Sequence, residues 1–253
     1  MLAEQRRNVI LEIVAERGSV SVNELFRRLA VSHETIRRDI TRLARENRLR
    51  KTHGGALSVN SVEPAFTERM GVNIEGKRAI GRLAAGLVPD GASVIIDSGT
   101  STLCLAEALK SHRRLTVYTN DIHVAGRLAA RNDNQVLLLG GEIQGTEGAT
   151  MGRDTTAMLD NYFTDFSFIG VGALTARPSL MDYSREAAEL RARMIVSARQ
   201  GVLLAEHTKF NRTAPVRVAN LEKASHLVVD RKPKGALEKA LRSLDAELLV
   251  TDE

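Results

Sequence analysis

The sequence predicts an α/β protein in two parts, a small basic helical domain followed by a larger body on a mainly parallel sheet. Three observations predict it. Apolar residues in the first 45 positions recur at helical spacing in three bouts separated by turn signals. Beyond residue 76, short continuous apolar runs alternate with helical stretches, as strands covered on both faces do. Charge divides at the same place. Residues 1–60 hold 12 Lys and Arg against 7 Asp and Glu, whereas residues 61–253 hold 24 against 24, so the net excess of +5 lies at the N-terminus.

The first helix spans Glu4 to Arg17 with Val9, Ile10, Ile13 and Val14 inward, and Gly18 stands where a left-handed C-terminal cap is expected. Ser21-Val-Asn-Glu24 fits a capping box and opens a short second helix that buries Leu25 and Leu29. Ala30 and Val31 form the turn. Ser32 then N-caps a third helix whose Ile36, Ile40 and Leu43 make an apolar stripe. Its other faces carry His33 and Arg37 on one line and Glu34, Arg38, Arg42 and Arg45 on another. Such an arginine-bearing helix is often merely solvated, but here it follows two helices and a turn. Leu49 to Lys51 and Ala56 to Val59 can pair around Thr52-His53-Gly54-Gly55 as a wing. Together these elements read as a winged helix-turn-helix over residues 1–57, able to meet phosphates and base edges of double-stranded operator DNA. A basic module on a neutral body suits that partner, because phosphate neutralisation supplies most non-specific affinity.

The runs RRNVILEIVAERGSVSVNEL, VSHETIRRDI and LRKTHGGA resemble the DNA-binding domain of the DeoR family of bacterial transcription regulators. The resemblance implies contacts from His33, Thr35, Arg37 and Arg38 in the recognition helix and from Arg50, Lys51 and His53 in the wing. Ser32 and Arg42 complete the candidate DNA-binding set.

Residues 58–75 read as a linker around Val62-Glu63-Pro64, with one helical turn near Phe66 to Met70. The body, residues 76–253, opens with a helix from Lys77 to Val88. Candidate strands follow at Val94–Asp97, Leu115–Thr119, Gln135–Leu139, Phe166–Val171, Val202–Ala205, His226–Val229 and Leu248–Val250. Ligands of open α/β sheets bind beyond the carboxyl ends of strands. Four polar clusters lie there: Asp97-Ser-Gly-Thr-Ser-Thr102, Thr119-Asn-Asp121, Gly140-Gly-Glu142 and Glu206-His-Thr-Lys209. The first is a candidate phosphate cradle, in which Gly99 permits close backbone approach and Ser98, Thr100 and Ser101 supply hydroxyls at a helix start. Asp97 suits a sugar hydroxyl, and Lys209, Arg153 or Lys77 the charge of a phosphate ester. Thr119-Asn120-Asp121 reads equally as a cap for the next helix, and the glycines as tight turns.

EGKRAIGRLAAGLVPDGASVIIDSGTST, TVYTND, VLLLGGEI, MGRDT and HTKFNR are similar to the sensor domain of the same family, whose fold resembles ribose-5-phosphate isomerase. Leu180–Ile195 is similar to the glycerol-3-phosphate-type members. The resemblance implies a phosphorylated sugar or polyol effector. It places contacts at Asp97, Ser98, Gly99, Thr100, Thr119, Asn120, Gly141, Glu186 and Lys209, with Lys77 nearby. Where the family usually has Asp, this chain has Glu206. A sugar-phosphate isomerase-like enzyme with an attached DNA-binding domain is the alternative. Against it, Phe168-Ile-Gly-Val-Gly-Ala-Leu174 offers no carboxylate to move a proton.

No catalytic residue, cofactor or metal is expected, since the single cysteine, Cys104, can form neither an intramolecular disulfide nor a cysteine cluster. No apolar run of membrane-spanning length and no export signal is recognised, which predicts a cytoplasmic protein. One recognition helix reads few base pairs, so a homo-oligomer, dimer or tetramer, is expected on repeated half-sites.

Overall fold

The computed structural model describes residues 2–17, 19–46, 48–52, 54–58, 63–144, 147–175 and 179–251. The main division into two compact units falls between Glu63 and Pro64.

In the smaller unit, helices α1 (Ala3–Arg17), α2 (Val22–Leu29) and α3 (His33–Arg45) close on a core in which Ile10, Leu25, Ile36, Ile40 and Leu43 are fully buried. The starts of the helices are local chemistry. Ser21 accepts the Glu24 amide at 3.1 Å and begins α2, and Ser32 accepts the Thr35 amide at 3.2 Å and begins α3. Ala30, left-handed at φ 52°, turns the chain between them. The wing is β2 (Arg50–Lys51) paired antiparallel with β3 (Gly55–Leu57). A third strand, β1 (Ser19–Ser21), pairs on the other side of β3. A Cβ on Gly55 would lie 2.1 Å from the Val20 carbonyl oxygen, so only glycine lets these strands meet. Gly18, His53 and Val59, given roles from the sequence, lie outside the described residues.

The larger unit is built on a seven-stranded parallel sheet of order β15-β14-β12-β9-β4-β5-β6. In chain order the strands are β4 (Ser93–Ile96), β5 (Thr116–Thr119), β6 (Gln135–Leu138), β9 (Thr164–Gly170), β12 (Ala198–Ala205), β14 (Ala224–Val229) and β15 (Glu247–Val250). Each coincides with one of the seven apolar runs. Alternate residues serve opposite faces. Val94, Ile96, Phe168, Val202 and Leu204 pack under α5 (Ile74–Ala85), α6 (Thr100–Ala108) and α7 (Ile122–Leu128). Ile95, Ile169 and Leu203 pack under α8 (Arg153–Leu159), α9 (Arg185–Val196) and α10 (Ala236–Leu241). Two additions are not visible as apolar runs. One is the hairpin β7 (Glu142–Gln144) with β8 (Ala149–Met151), and the other the antiparallel set β10 (Ala173–Thr175), β11 (Ser179–Asp182) and β13 (Val216–Val218).

Residues 64–75, read from sequence as the end of a linker, are instead packed into the larger unit. They form α4 (Phe66–Gly71) and the start of α5. Arg69 is buried, its guanidinium donating to the Pro64 carbonyl at 3.0 Å and to Glu147 at 2.5 Å. Among the described residues no helix is long and apolar enough to cross a membrane.

Candidate functional site

The first candidate surface is the outer face of α3 with the wing. Asp39, buried on the inner face, accepts from Arg6 Nε at 2.6 Å and lies 3.7 Å from Arg7, which fixes α3 against α1. Burying Ile36, Ile40 and Leu43 turns Arg37, Arg38, Arg42 and Arg45 outward, all exposed. Arg42 pairs with Glu46 at 3.1 Å, whereas among the described residues no ion pair holds Arg37, Arg38 or Arg50. These three guanidinium groups stand free for phosphates or base edges. Lys51 donates to Thr41 Oγ1 at 3.0 Å, and Thr41 donates to the Arg37 carbonyl at 2.7 Å, so the wing is tied to the recognition helix. A cleft of about 520 Å³ runs between α3 and the wing, with Arg37, Lys51 and Thr52 on its walls. Ser32 and Thr35 are partly spent in capping, their hydroxyls 3.0 Å apart. His33 bonds to Asn23 at 3.0 Å, a contact that spacing did not indicate.

The second candidate lies in the larger unit, along the carboxyl ends of its strands. Neighbouring strands are about 4.8 Å apart, so the ends of β14, β12, β9, β4 and β5 span roughly 19 Å. Asp97, at the end of β4, is fully buried. Its Oδ2 accepts from Arg191 Nε at 2.7 Å and from the Gly170 amide at 3.1 Å. Arg191 also pairs with buried Asp182, making a carboxylate–guanidinium–carboxylate chain. Burial pushes the Asp97 carboxyl above its ordinary value, with the Arg191 charge and hydrogen bond opposing. The other oxygen, Oδ1, is buried with no partner among the described residues.

Beside it, Gly99 adopts φ 143° and N-caps α6 with no side chain capping the helix start, which leaves first-turn amides for another acceptor. Ser98, Thr100, Ser101 and Thr102 are all buried there. At the end of β5, Asn120 donates to Ser98 Oγ at 3.4 Å and to the Thr150 carbonyl at 3.0 Å, while its Oδ1 is buried without a partner among the described residues. Thr119 Oγ1 accepts the Asp121 amide at 3.1 Å, and Asp121 caps α7 through the His123 amide at 2.7 Å. Asp121 is likewise pushed up by burial, opposed by the His123 and Val124 amides. Gly141 has φ 138°, and a Cβ there would meet Thr155 Oγ1 at 2.4 Å.

A further polar group closes the edge at β12 and β14. Glu206 is buried and accepts from the Thr208 amide at 2.8 Å, while His207 Nδ1 lies 2.5 Å from Asp230 and Asn73 donates to Asp230 at 2.7 Å. Burial raises the Asp230 carboxyl, but the hydrogen bonds from His207 and Asn73 outweigh it and hold the group below its ordinary value. Lys209 is half-buried in the turn that follows β12.

Of the remaining expected effector residues, Lys77 lies near the Glu206–Lys209 cluster, whereas Arg153 and Glu186 stand elsewhere. Lys77 is buried, but its ammonium donates to the Arg69 carbonyl and, at 2.8 Å, to the Val72 carbonyl, so it closes the end of α4. Burial lowers its pKa, with Glu206 opposing. Arg153 and Glu186 are exposed in a groove between α8 and α9 with Asp160, Glu189 and Arg193. Conversely, Arg191 and Asp182 were missed. The signal was present: Ala187, Leu190, Arg191, Met194 and Ile195 share the buried face of α9, and an arginine in such a stripe needs a counter-charge.

The Thr119-Asn120-Asp121 cluster is also joined to α4. Ile122, after Asp121, donates to the Gly148 carbonyl at 2.9 Å, and Thr150 to the Asn120 carbonyl at 2.8 Å. The His123 ring stacks on Phe66 with centroids 5.8 Å apart, and the β7–β8 turn supplies Glu147 to Arg69.

A family model described as the DeoR C terminal sensor domain matches residues 72–231, and one described as the DeoR-like helix-turn-helix domain matches residues 6–62. Relatives include a glycerol-3-phosphate regulon repressor of Escherichia coli (strain K12), 32% identical over 92% of this chain and 93% of the relative. Another is the transcriptional repressor CsqR of the same organism, 31% identical over 98% of this chain and 95% of the relative. Ribose 5-phosphate isomerase A of Methanocaldococcus jannaschii is a structural neighbour at 16% identity and TM-score 0.40, covering 55% of each chain. With both domain models matched in a single chain, and with repressors among its relatives, this protein belongs to the DeoR family, as a DNA-binding transcription regulator and not an enzyme.

Proposed function

We propose that the protein represses a sugar or polyol catabolic operon by occupying an operator through α3 and the wing, and that a phosphorylated carbohydrate held at the ends of β4 and β5 relieves it. The observation that carries the ligand reading is the pair of buried, unpartnered acceptors, Asp97 Oδ1 and Asn120 Oδ1, beside the uncapped start of α6. Buried acceptors favour a ligand with hydroxyl donors, and free helix-start amides favour an anion. A phosphorylated polyol has both. Asp97, Ser98, Gly99, Thr100, Ser101, Thr119 and Asn120 are its proposed contacts, with Gly141 and Lys209 at the margin. Arg191 positions Asp97.

Coupling is proposed to run through α4. Binding at Asn120 acts on α7 and the β7–β8 turn, and these hold Phe66 and Arg69, which follow the DNA-binding domain in the chain. A ligand shifts the balance only by its differential affinity for the two states; a factor of 10 to 100 corresponds to about 1.4 to 2.7 kcal/mol. Residues 1–57 are proposed as the DNA-binding domain and the larger unit as the oligomerising sensor.

The test is thermal stabilisation of the full chain against phosphorylated sugars and polyols. Glycerol 3-phosphate is the first compound to try, given the name of one relative. A compound that raises the melting temperature of the wild type and not of Asp97→Ala supports the site. No stabilisation by any phosphorylated compound refutes it.

A further inference from the structure

We infer that Asn23, Phe26 and His33 form one base-reading element that selects an A·T pair at one position of each operator half-site. The inference rests on the DNA-binding reading and sharpens it.

Asn23 and Phe26 are three residues apart on α2 and so share a face of that helix. That face meets His33, the first residue of α3. Asn23 Oδ1 lies 3.0 Å from His33 Nε2, and the Phe26 ring stacks on the imidazole with centroids 4.3 Å apart and planes 8° from parallel. The ring is therefore held from two sides. Phe26 is not part of the domain core, and it is 41% exposed. Apart from Leu2 beside the chain start, no other large apolar side chain described in the smaller unit is so open. Leaving an aromatic ring in water forgoes the stabilisation of burial, and here it does so next to the end of the recognition helix that meets base edges in this class of domain.

The chemistry of the pair is specific. An amide oxygen only accepts, so Nε2–H donates to Asn23, and in the imidazole tautomer that this contact selects Nδ1 is an acceptor. An A·T pair presents in the major groove an exocyclic amine on adenine and a methyl group on thymine. A C·G pair presents an amine but no methyl, and guanine edges present acceptors. An acceptor beside an apolar ring edge matches the first of these. Arg37 and Arg38, a turn further along α3, suit guanine acceptors at other positions.

The test is enrichment of random-sequence duplexes on the full chain, wild type against Asn23→Ala, Phe26→Ala, Phe26→Leu and His33→Ala, with melting temperatures confirming that each variant folds. The wild type is expected to enrich a motif with one A·T position per half-site. Phe26→Ala should admit C·G there, narrowing the preference by about fivefold, and Phe26→Leu should fall between the two. Asn23→Ala and His33→Ala should flatten that position and leave the others unchanged. Variants that fold and enrich the wild-type motif unaltered would overturn the inference while leaving DNA recognition standing. A wild type that enriches no motif would remove the DNA-binding reading and this inference with it.

Discussion

Asp97 ends β4 with one carboxylate oxygen held by Arg191 and the Gly170 amide and the other unpartnered. Because burial raises its pKa in the fold, the unfolded chain ionises this group first, near its ordinary 3.8. Its contribution therefore favours the folded state below that pH and is lost as pH rises through the folded value. Asp97→Asn, which carries no charge there, is expected to gain stability relative to wild type as pH is raised from about 4 to 7, read from urea midpoints. A gap that stays constant or shrinks contradicts the burial cost. At Asp39 the balance differs, since the carboxylate faces two arginines from α1. Asp39→Ala strands Arg6 in a nearly closed site and should destabilise the smaller domain by about 3 kcal/mol, measurable by denaturation of the full chain.

At the scale of elements, α3 and α4 carry the predictions. Arg37→Ala or Arg38→Ala should abolish specific operator binding without lowering the melting temperature, because both side chains are exposed and unpaired. Glu147→Gln should leave operator binding and ligand-induced stabilisation in place but bring the operator affinities with and without ligand closer together, since it weakens the hold on Arg69. Equal coupling in that variant contradicts the α4 route. The same elements show what the sequence makes legible. Val94–Ile96 and Val202–Ala205 are buried on both faces and so appear as unbroken apolar runs, and Phe166–Ile169 as a run broken only by buried Ser167, while Ser21 and Ser32 mark helix starts by chemistry local to a few residues. The strand-end clusters follow from those runs. What escaped is long-range pairing. Arg191 meets Asp97 across 94 positions and Arg69 meets Glu147 across 78, and no local spacing encodes either contact. Lys77 looked like a charge for phosphate because its nearest partners, the carbonyls that end α4, carry no side-chain signature.

Across the whole molecule, the basic excess is confined to the first 60 residues and the remainder is balanced, so DNA attraction and ligand sensing are separated along the chain. Operator affinity should accordingly fall steeply with salt, whereas ligand-induced stabilisation responds far less. A single α3 contacts only part of a turn of duplex, so the full chain should bind its operator as a dimer or larger assembly. A monomer holding full affinity in sedimentation would contradict this. On the proposed function, a phosphorylated ligand at the ends of β4 and β5 controls the grip of α3 on DNA. The most direct measurement is release of an enriched duplex from the full chain during titration with phosphorylated sugars and polyols, wild type beside Asp97→Ala. One such compound is expected to weaken wild-type binding by roughly 10- to 100-fold and to leave the DNA-bound Asp97→Ala protein unmoved. A duplex whose affinity no phosphorylated compound alters, or an Asp97→Ala protein released as readily as the wild type, would contradict it.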